Sequence, residues 1–383
     1  MLTCQKHLFS LEPDFHYING AYMSPLLNAV VEAGFESVKK KAHPYRLTDK
    51  DFFTDVEILR GLFAQLVNAE QAKRVALIPA ASYGIAIVAK NLKVKRGQNI
   101  VVAEAQFPSN VYSWRTLAKE KGLKIKTVAY PSVSEGRGKL WNQHILEAID
   151  EKTCLVAIDP IHWANGTKFD LKKIGARAHE VGALLVIDGT QSVGAMPIDV
   201  QDMGIDALIC GGYKWLMGPY SLGYAYFNEK FDNGKPLEEN WINRKDSENF
   251  ARLVDYQDDY QPLAMRYDMG ERSNFILVPM GIAALQQLLA WGADNIQTYC
   301  HNLTYQAIEK WREKGFWIED ENARGKHLFG IQLPKGIAVE KLQAALKERQ
   351  ISVSLRGDFV RISPNVYNDA RDIDVLTEVL CGI

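Results

Sequence analysis

Short apolar runs alternate with longer amphipathic segments through the first 230 residues of the chain. The apolar runs are rich in Val, Ile and Leu, as buried strands are, and they predict strands at residues 75–78, 99–103, 124–129, 153–159, 183–188, 207–210 and 223–227. Helical segments are predicted between them, at residues 83–92, 109–121, 142–149 and 171–181. This alternation is typical of βαβ units, so we expect an α/β fold with a mostly parallel sheet flanked by helices.

The pattern changes after residue 230. Residues 231–269 are charged and aromatic with little periodicity, which predicts a long excursion or an active-site flap, because loops of this length are usually functional or disordered. Apolar helices at 278–290 and 294–314 follow, and then a strand–helix–strand tail. We therefore expect a large α/β domain over residues 15–265 and a small α+β domain formed by residues 1–14 and 266–383.

Composition and charge exclude several classes of protein. The 383 residues carry 45 Lys+Arg against 46 Asp+Glu, so there is no basic surplus for nucleic-acid binding, and the short basic run at 39–41 is typical of a solvated helix face. No apolar run reaches the roughly 18 residues of a membrane span, and the first 15 residues lack a signal-peptide core. We expect a cytoplasmic protein without a membrane segment.

The five cysteines, at 4, 154, 210, 300 and 381, have no Cys-x-x-Cys spacing. They fit neither a zinc site nor a disulfide framework, so no metal site is expected, and a reducing compartment suits them.

Two polar residues follow buried strands in the segment 184–227. Asp188 ends the apolar run 184–187, and Lys214 follows the run 207–210 after two glycines. The carboxyl ends of parallel strands face the ligand crevice, so both side chains are expected in one site. A lysine there can act as a Schiff-base nucleophile, because burial lowers its pKa, and an acid nearby would keep a cofactor's ring nitrogen protonated. Alone, each signal is as well explained by a capping Asp or a snorkelling Lys.

With Gln191 and the turn Gly218-Pro219, this segment resembles the fold-type I pyridoxal phosphate enzymes of aminotransferase class V. That family includes cysteine desulfurases, kynureninase and isopenicillin N epimerase, and the resemblance covers residues 18–369. It implies an aspartate aminotransferase-like fold, pyridoxal 5′-phosphate as cofactor, an α-amino acid as small-molecule substrate, and a homodimer with shared active sites. A dinucleotide-dependent oxidoreductase is disfavoured, because no GxGxxG motif follows the first strand.

The resemblance also implies roles for individual residues around the cofactor. Lys214 matches the lysine that forms the Schiff base, Asp188 the acid that pairs with the pyridinium nitrogen, and Gln191 the residue that hydrogen-bonds the phenolic oxygen. Ala81 and Ser82, at a helix start, match the pair that cradles the phosphate, although a Ser near a helix start is usually a cap.

The aromatic residues of the resemblance depart from the desulfurases. Phe107 matches the aromatic plate over the cofactor ring, where desulfurases carry histidine, and Tyr213 stands where they have another histidine and would donate to the phosphate. A core position for Phe107 is the alternative. His162 and Trp163 follow another strand and are candidates for cofactor or substrate contacts, although a strand-end histidine is as often structural.

Three arginines remain. Arg272, with Ser273, matches the region that reaches the neighbouring subunit's cofactor phosphate. Arg361 matches the arginine that holds the substrate α-carboxylate, a task suited to the planar guanidinium. Arg356 could act similarly or be a surface charge.

The predicted reaction depends on the absence of one residue, a reactive cysteine. Desulfurases need a reactive cysteine on a mobile loop before the final strand, and residues 354–363 contain none. The resemblance therefore implies amino transfer as the default reaction, with an epimerase or a kynureninase-like C–C lyase as alternatives. A desulfurase is disfavoured. So is a noncatalytic protein with this fold, because Lys214, Asp188, Gln191 and Arg361 all stand at family-like spacing.

Overall fold

The computed structural model describes residues 2–133 and 135–383. The strands in these residues are β1 (His16–Tyr17), β2 (Val75–Ile78), β3 (Asn99–Ala103), β4 (Lys124–Val128), β5 (Thr153–Ile158), β6 (Leu184–Asp188), β7 (Ala207–Gly211), β8 (Gly223–Phe227), β9 (Trp317–Ile318), β10 (Phe329–Gln332), β11 (Ile351–Ser352), β12 (Ser354–Arg356) and β13 (Phe359–Ile362). The α-helices are α1 (Asn28–Lys41), α2 (Asp49–Leu66), α3 (Ala81–Asn91), α4 (Tyr112–Lys121), α5 (Arg137–Ala148), α6 (Leu171–Glu180), α7 (Leu277–Trp291), α8 (Ala293–Glu313), α9 (Val339–Glu348) and α10 (Ala370–Cys381).

A seven-stranded sheet forms the centre of the molecule, in the order β2-β8-β7-β6-β5-β3-β4. Strand β8 runs antiparallel to both of its neighbours, and the other pairs are parallel. Every residue of β2, β3, β5, β7 and β8 is buried, because helices cover both faces. This accounts for the continuous apolar runs, and the predicted α/β fold with a mostly parallel sheet is confirmed.

Two apolar cores cover the faces of this sheet. One contains residues of α1, α2, α5, α6 and α7, such as Phe63, Trp141 and Leu285. The other contains residues of α3 and α4, such as Ile85 and Trp114. Helices α1 and α2, for which the sequence pattern made no prediction, pack mainly against α7.

A second, four-stranded antiparallel sheet has the order β12-β13-β10-β9. Its core includes Trp311 of α8, Leu342 of α9 and Leu376 of α10. The predicted strand–helix–strand tail is corrected here, because the chain continues from β13 into α10. The capping box of Asp369 and Asp372 starts that helix. Helix α7 belongs to the core of the large sheet, and the domain boundary at residue 265 stays a prediction.

The loop at residues 159–169 joins the two sheets. The Asn165 carbonyl accepts a hydrogen bond from the Gly330 N–H of β10 (2.8 Å), and the Gly166 carbonyl accepts one from the Gly325 N–H (3.0 Å). Gly166 has a φ of +77°, and a Cβ added there would lie 2.4 Å from the Phe329 Cα. Only glycine fits this position, since both the backbone conformation and the space exclude a side chain.

We predict that Gly166→Ala lowers the free energy of unfolding by about 3 kcal/mol or more, because left-handed strain adds to a clash with backbone. Urea unfolding followed by far-UV circular dichroism measures the loss. Gly182→Ala is the matched control, since Gly182 has the same φ of +77° with nothing within 4 Å of the added Cβ, and it should cost about 1 kcal/mol. Equal losses in the two variants would show that the loop yields to the side chain.

Candidate active site

A cavity of about 460 Å³ lies at the carboxyl edge of the large sheet, next to the start of α3. Eight of the residues that the sequence singles out line it: Ala81, Ser82, Phe107, Trp163, Asp188, Gln191, Tyr213 and Lys214. Two grooves of about 760 and 710 Å³ lie elsewhere on the surface. Neither contains a buried lysine or a buried carboxyl, so the smaller cavity is the candidate site.

Lys214 follows β7 and is buried, with 6% of its surface exposed. Burial lowers the pKa of its ammonium from 10.5 to about 8, an effect that Asp188 opposes and that Arg361 and Arg356 reinforce. Its Nζ lies 5.4 Å from the centroid of the Phe107 ring and 5.6 Å from that of Tyr213. Near neutral pH a larger share of this amine is therefore unprotonated than in an exposed lysine, which suits a nucleophile.

Two buried carboxyls share the cavity with this lysine. Asp188 accepts a hydrogen bond from the Thr190 N–H (3.0 Å), and burial raises its pKa. Asp159 follows β5, and burial together with the charge of Asp188 raises its pKa well above the usual range. Its Oδ1 is buried and has no hydrogen-bond partner. Asp159 ends the predicted strand 153–159, but no role was predicted for it. It has the same sequence signal as Asp188, an acidic residue at the end of a buried strand.

The Gln191 side chain is fixed by two hydrogen bonds. Its Nε2 donates to the Ala21 carbonyl (3.1 Å), and its Oε1 accepts from Trp215 Nε1 (3.0 Å). The backbone carbonyl of Gln191 also accepts from His327 Nε2 (2.7 Å). The amide therefore has a defined orientation, and one N–H is left unused by these bonds.

Helix α3 begins at the cavity without a side-chain cap. Its N-cap residue is Ala80, which makes no capping hydrogen bond, although Ser, Thr, Asp or Asn is preferred there. The first backbone N–H groups of a helix lack partners within the helix and carry a partial positive charge. At Ala81 and Ser82 this helix end is suited to an anion such as a phosphate.

Phe107 and Trp163 form an aromatic wall. Their rings meet edge to face at 5.5 Å and 82°. The Trp163 indole donates to the Ala105 carbonyl (2.7 Å), which fixes the ring. Because Phe107 cannot carry a proton, this wall shapes the cavity without adding an acid or a base.

His162 does not line the cavity, and its contact with the cofactor stays a prediction. Its Nε2 lies 3.1 and 3.2 Å from the carbonyl oxygens of Glu104 and Ala105. The ring is buried against Trp141, and burial lowers its pKa to about 4. A neutral imidazole that bonds to backbone carbonyls fits the structural role that was the alternative for His162.

Arg272 and Ser273 do not line the cavity either. Arg272 is 1% exposed, and its Nη1 pairs with Asp268 (2.6 Å), which also binds Arg60 Nη2 (2.8 Å). The Ser273 hydroxyl donates to the Phe52 carbonyl. A buried carboxylate needs such partners, so this pair fixes the position of Arg272 within its own chain, and the contact with a neighbouring subunit stays a prediction.

The segment 231–269 does not cover the cavity, since none of its residues lines it. Its last residues are fixed to β2, because the Leu77 N–H donates to Asp268 Oδ1 (2.7 Å) and the Met269 N–H donates to the Leu77 carbonyl (2.9 Å). In this chain the segment therefore lies away from its own cavity, and its role as an active-site flap stays a prediction.

Arg361 lies on β13 beside the aromatic wall. Its Nη1 donates to the Trp163 carbonyl (2.9 Å), and its Nη2 lies 3.4 Å from Ser354 Oγ. Its Nε is buried without a partner, and across residues 2–133 and 135–383 it forms no ion pair. Burial and the nearby Arg356 lower its pKa to about 9. A buried cation without a carboxylate is costly, so the site suits an anionic ligand.

Residues 26–376 match the family model of class V aminotransferases. The chain belongs to the class V aminotransferase family. Enzymes of this family depend on pyridoxal 5′-phosphate, and the chain is accordingly a pyridoxal phosphate enzyme. The resemblance inferred from the sequence is thereby confirmed.

The relatives of this chain include proteins named aminotransferase and proteins named cysteine desulfurase. The chain is 27% identical over 330 residues to an uncharacterized aminotransferase, YcbU, of Bacillus subtilis, a match that covers 85% of this chain and 82% of that protein. It is 26% identical to a cysteine desulfurase of Pectobacterium atrosepticum over 66% of this chain and 61% of that one.

Solved structures share the fold. A cystine C–S lyase, C-DES, in complex with cysteine persulfide has a TM-score of 0.86 at 16% identity, covering 96% of this chain and 98% of that one. A cysteine desulfurase of Thermococcus onnurineus has a TM-score of 0.84 at 21% identity, covering 100% and 98%. At these identities the likeness shows the fold alone, and the fold-type I architecture is confirmed.

Unsatisfied groups show that the residues of the cavity fit pyridoxal phosphate. The cavity holds a buried lysine of lowered pKa, an uncapped helix start and a buried acid. The lysine matches the cofactor's aldehyde, the helix start its phosphate and the acid its ring nitrogen. The cavity volume lies within the range of cofactor sites. Among the described residues no cluster of ligands for a metal ion is found, and no helix is long and apolar enough to cross a membrane.

We predict that Lys214 of the cofactor-free protein reacts with acetic anhydride with a midpoint near pH 8. A lysine whose pKa is lowered loses its proton at lower pH, so labelling rises through pH 8 and levels off above it. Mass spectrometry of the peptide that carries Lys214 measures this. Lys39 is the internal control, since Glu36 raises its pKa and its labelling should keep rising to higher pH.

Asp188→Asn should shift the Lys214 midpoint to lower pH, because Asp188 raises the pKa of that lysine. A midpoint that stayed in place in this variant would contradict the close approach of the two side chains.

Proposed function

We propose that this class V aminotransferase acts on an α-amino acid through Lys214 and that its reaction is amino transfer. One observation supports this most: a buried lysine of lowered pKa and a buried acid share one cavity, with an unpaired buried arginine beside its wall.

The proposal assigns each part of the cofactor to a group in the cavity. Lys214 would bind the aldehyde carbon, and Asp188 would hold a proton on the ring nitrogen. The start of α3, at Ala81 and Ser82, would bind the phosphate together with Tyr213. Gln191 would donate its unused N–H to the phenolic oxygen, and Phe107 would cover the ring. Pyridoxal phosphate supplies there a conjugated ring that accepts the electron pair released when a bond to the substrate Cα breaks.

The side chains then have separate tasks. Arg361 fixes the substrate α-carboxylate through two parallel hydrogen bonds. Lys214 Nζ, once the substrate amine has displaced it from the aldehyde carbon, would remove the Cα proton, since its lowered pKa keeps a share of the free amine neutral and the aromatic wall offers no other base. Asp188 retains its negative charge against the protonated ring nitrogen, and the dry surroundings strengthen that pairing.

Sulfur abstraction is not proposed, although several relatives are named cysteine desulfurases. None of the five cysteines lines the cavity. Strands β12 and β13 are joined by two residues, Gly357 and Asp358, which leaves no mobile loop for a reactive thiol. The relative that matches 85% of the chain is named an uncharacterized aminotransferase, a name that agrees with amino transfer. An epimerase and a C–C lyase are outcomes of the test below.

Incubation of the holoenzyme with single amino acids should convert the cofactor to its amino form, with a matching shift in its absorbance and release of an oxoacid. Lys214→Ala should lower this rate by about 10³-fold or more, since the base is lost. Lys172→Ala is the control, since Lys172 is exposed and pairs with Asp202. A racemised amino acid without an absorbance shift would indicate an epimerase, cleavage of the carbon skeleton would indicate a lyase, and either would reject amino transfer.

We further propose a homodimer and a cytoplasmic location. Val31, Phe35 and Val38 form a stripe on α1 that is 37%, 60% and 51% exposed, and such an apolar stripe supports association with a second copy. The five cysteines are all unpaired, which supports a reducing compartment.

Light scattering coupled to size exclusion should give twice the chain mass of 43.1 kDa. Phe35→Glu should give the mass of one chain, because a charge would be buried in the interface. Tyr112→Glu, at an exposed residue of α4, should leave the dimer intact. A wild-type monomer with full cofactor content would reject the homodimer.

A further inference from the structure

Arg356 is a second arginine beside the aromatic wall, and the proposed function gives it no task. Its guanidinium carbon lies 5.7 Å from the centroid of the Trp163 ring, which lines the cavity. Its Nη1 donates to the adjacent Leu355 carbonyl (2.8 Å). Within residues 2–133 and 135–383 it forms no ion pair, so its charge has no carboxylate partner.

The register of the β12–β13 hairpin places both arginines on one face. Ser354 pairs with Arg361, and Arg356 pairs with Phe359. Side chains of directly opposed residues share a face of the sheet, and so do residues two apart along a strand. Arg356 therefore lies on the face that carries Ser354 and Arg361, and Arg361 bonds to Trp163 from that face.

Two cations on one face of a hairpin repel each other, and an anion bound beside them reduces this repulsion. The charge of Arg356 contributes to the lowered pKa of Arg361, and both arginines contribute to that of Lys214. The carboxyls in the cavity are Asp159 and Asp188, and neither forms an ion pair with an arginine. One substrate α-carboxylate supplies a single negative charge for two guanidinium groups.

We propose that Arg356 binds a second acidic group of the substrate, so that the enzyme takes amino dicarboxylic acids such as aspartate or glutamate. This rests on the proposed function, in which Arg361 holds the α-carboxylate. The Arg356 guanidinium lies over the Trp163 ring, and among the described residues its Nη1 bond to the Leu355 carbonyl is its one hydrogen bond. The N–H groups that remain can bind a carboxylate. The helix start at Ala81 and Ser82 is reserved for the cofactor phosphate, so the second acidic group belongs at the arginine.

The test compares acids with their uncharged amides. The rate of cofactor conversion in the holoenzyme is measured with L-aspartate and L-glutamate, and with L-asparagine and L-glutamine. We expect wild type to prefer the acids. Arg356→Gln should lower kcat/KM for the acids at least about 30-fold, the effect of removing one partner of a desolvated charge pair, and change the values for the amides less than about threefold. Arg356→Lys should recover part of the loss, since it keeps the charge without the planar fork.

Arg371→Gln, an exposed arginine paired with Asp14, is the matched control and should change neither class. Equal losses for acids and amides in Arg356→Gln would overturn the inference, because they would place Arg356 on the α-carboxylate or in a structural role. A wild-type preference for the amides would also overturn it.

A binding measurement separates this inference from the proposed function. Calorimetric titration of the holoenzyme with glutarate and with butyrate needs no amino transfer. Glutarate should bind at least about tenfold more tightly to wild type, and both Arg356→Gln and Arg361→Gln should remove that advantage. If no amino acid is converted but glutarate retains its advantage, the reaction is wrong and the second acidic site stands. Equal binding of the two acids rejects the site.

Discussion

The burial of Lys214 is the constraint on which the active site depends. An ammonium group enclosed by aromatic rings loses its hydration, and the fold compensates with Asp188 and Asp159 from neighbouring strands of one sheet edge. The compensation is partial, because the pKa of Lys214 still falls to about 8. A lysine that is neither fully stabilised as a cation nor fully neutral can both bond to carbon and exchange a proton at ordinary pH.

The architecture was largely predictable because a parallel sheet covered on both faces requires continuous apolar strands. The runs at 75–78, 99–103 and 223–227 agree with β2, β3 and β8 to the residue. Helix α1 escaped prediction because its apolar residues lie on more than one face and Leu27 at its N-cap makes no side-chain cap. Helices α2 and α10 both start with capping boxes. The residues of both capping boxes, Thr48 with Asp51 and Asp369 with Asp372, are readable in the sequence and would have predicted where these helices start.

The site was predictable where it depends on strand ends and not where it depends on distant partners. Lys214, Asp188 and Gln191 come together because adjacent strands end at one edge. The surroundings of His162 and Arg272 were not predictable, because their partners, the carbonyls at 104 and 105 and the carboxylate of Asp268, come from other parts of the chain. Local pattern carries no information about such contacts. For Asp159 the sequence predicted the position, at the end of a strand, but not its place beside Lys214 in the cavity.

The loop at residues 159–169 has a mechanical consequence. It carries Asp159 and Trp163 on the side of the large sheet, yet its backbone is bonded to Gly330 and to Arg361 of the small sheet. The Arg361 guanidinium and the aromatic wall are therefore bonded to the same stretch of backbone. Any rotation of the small sheet toward the large one would displace the indole ring together with Arg361, so the position of this arginine and the shape of the cavity are coupled through that stretch.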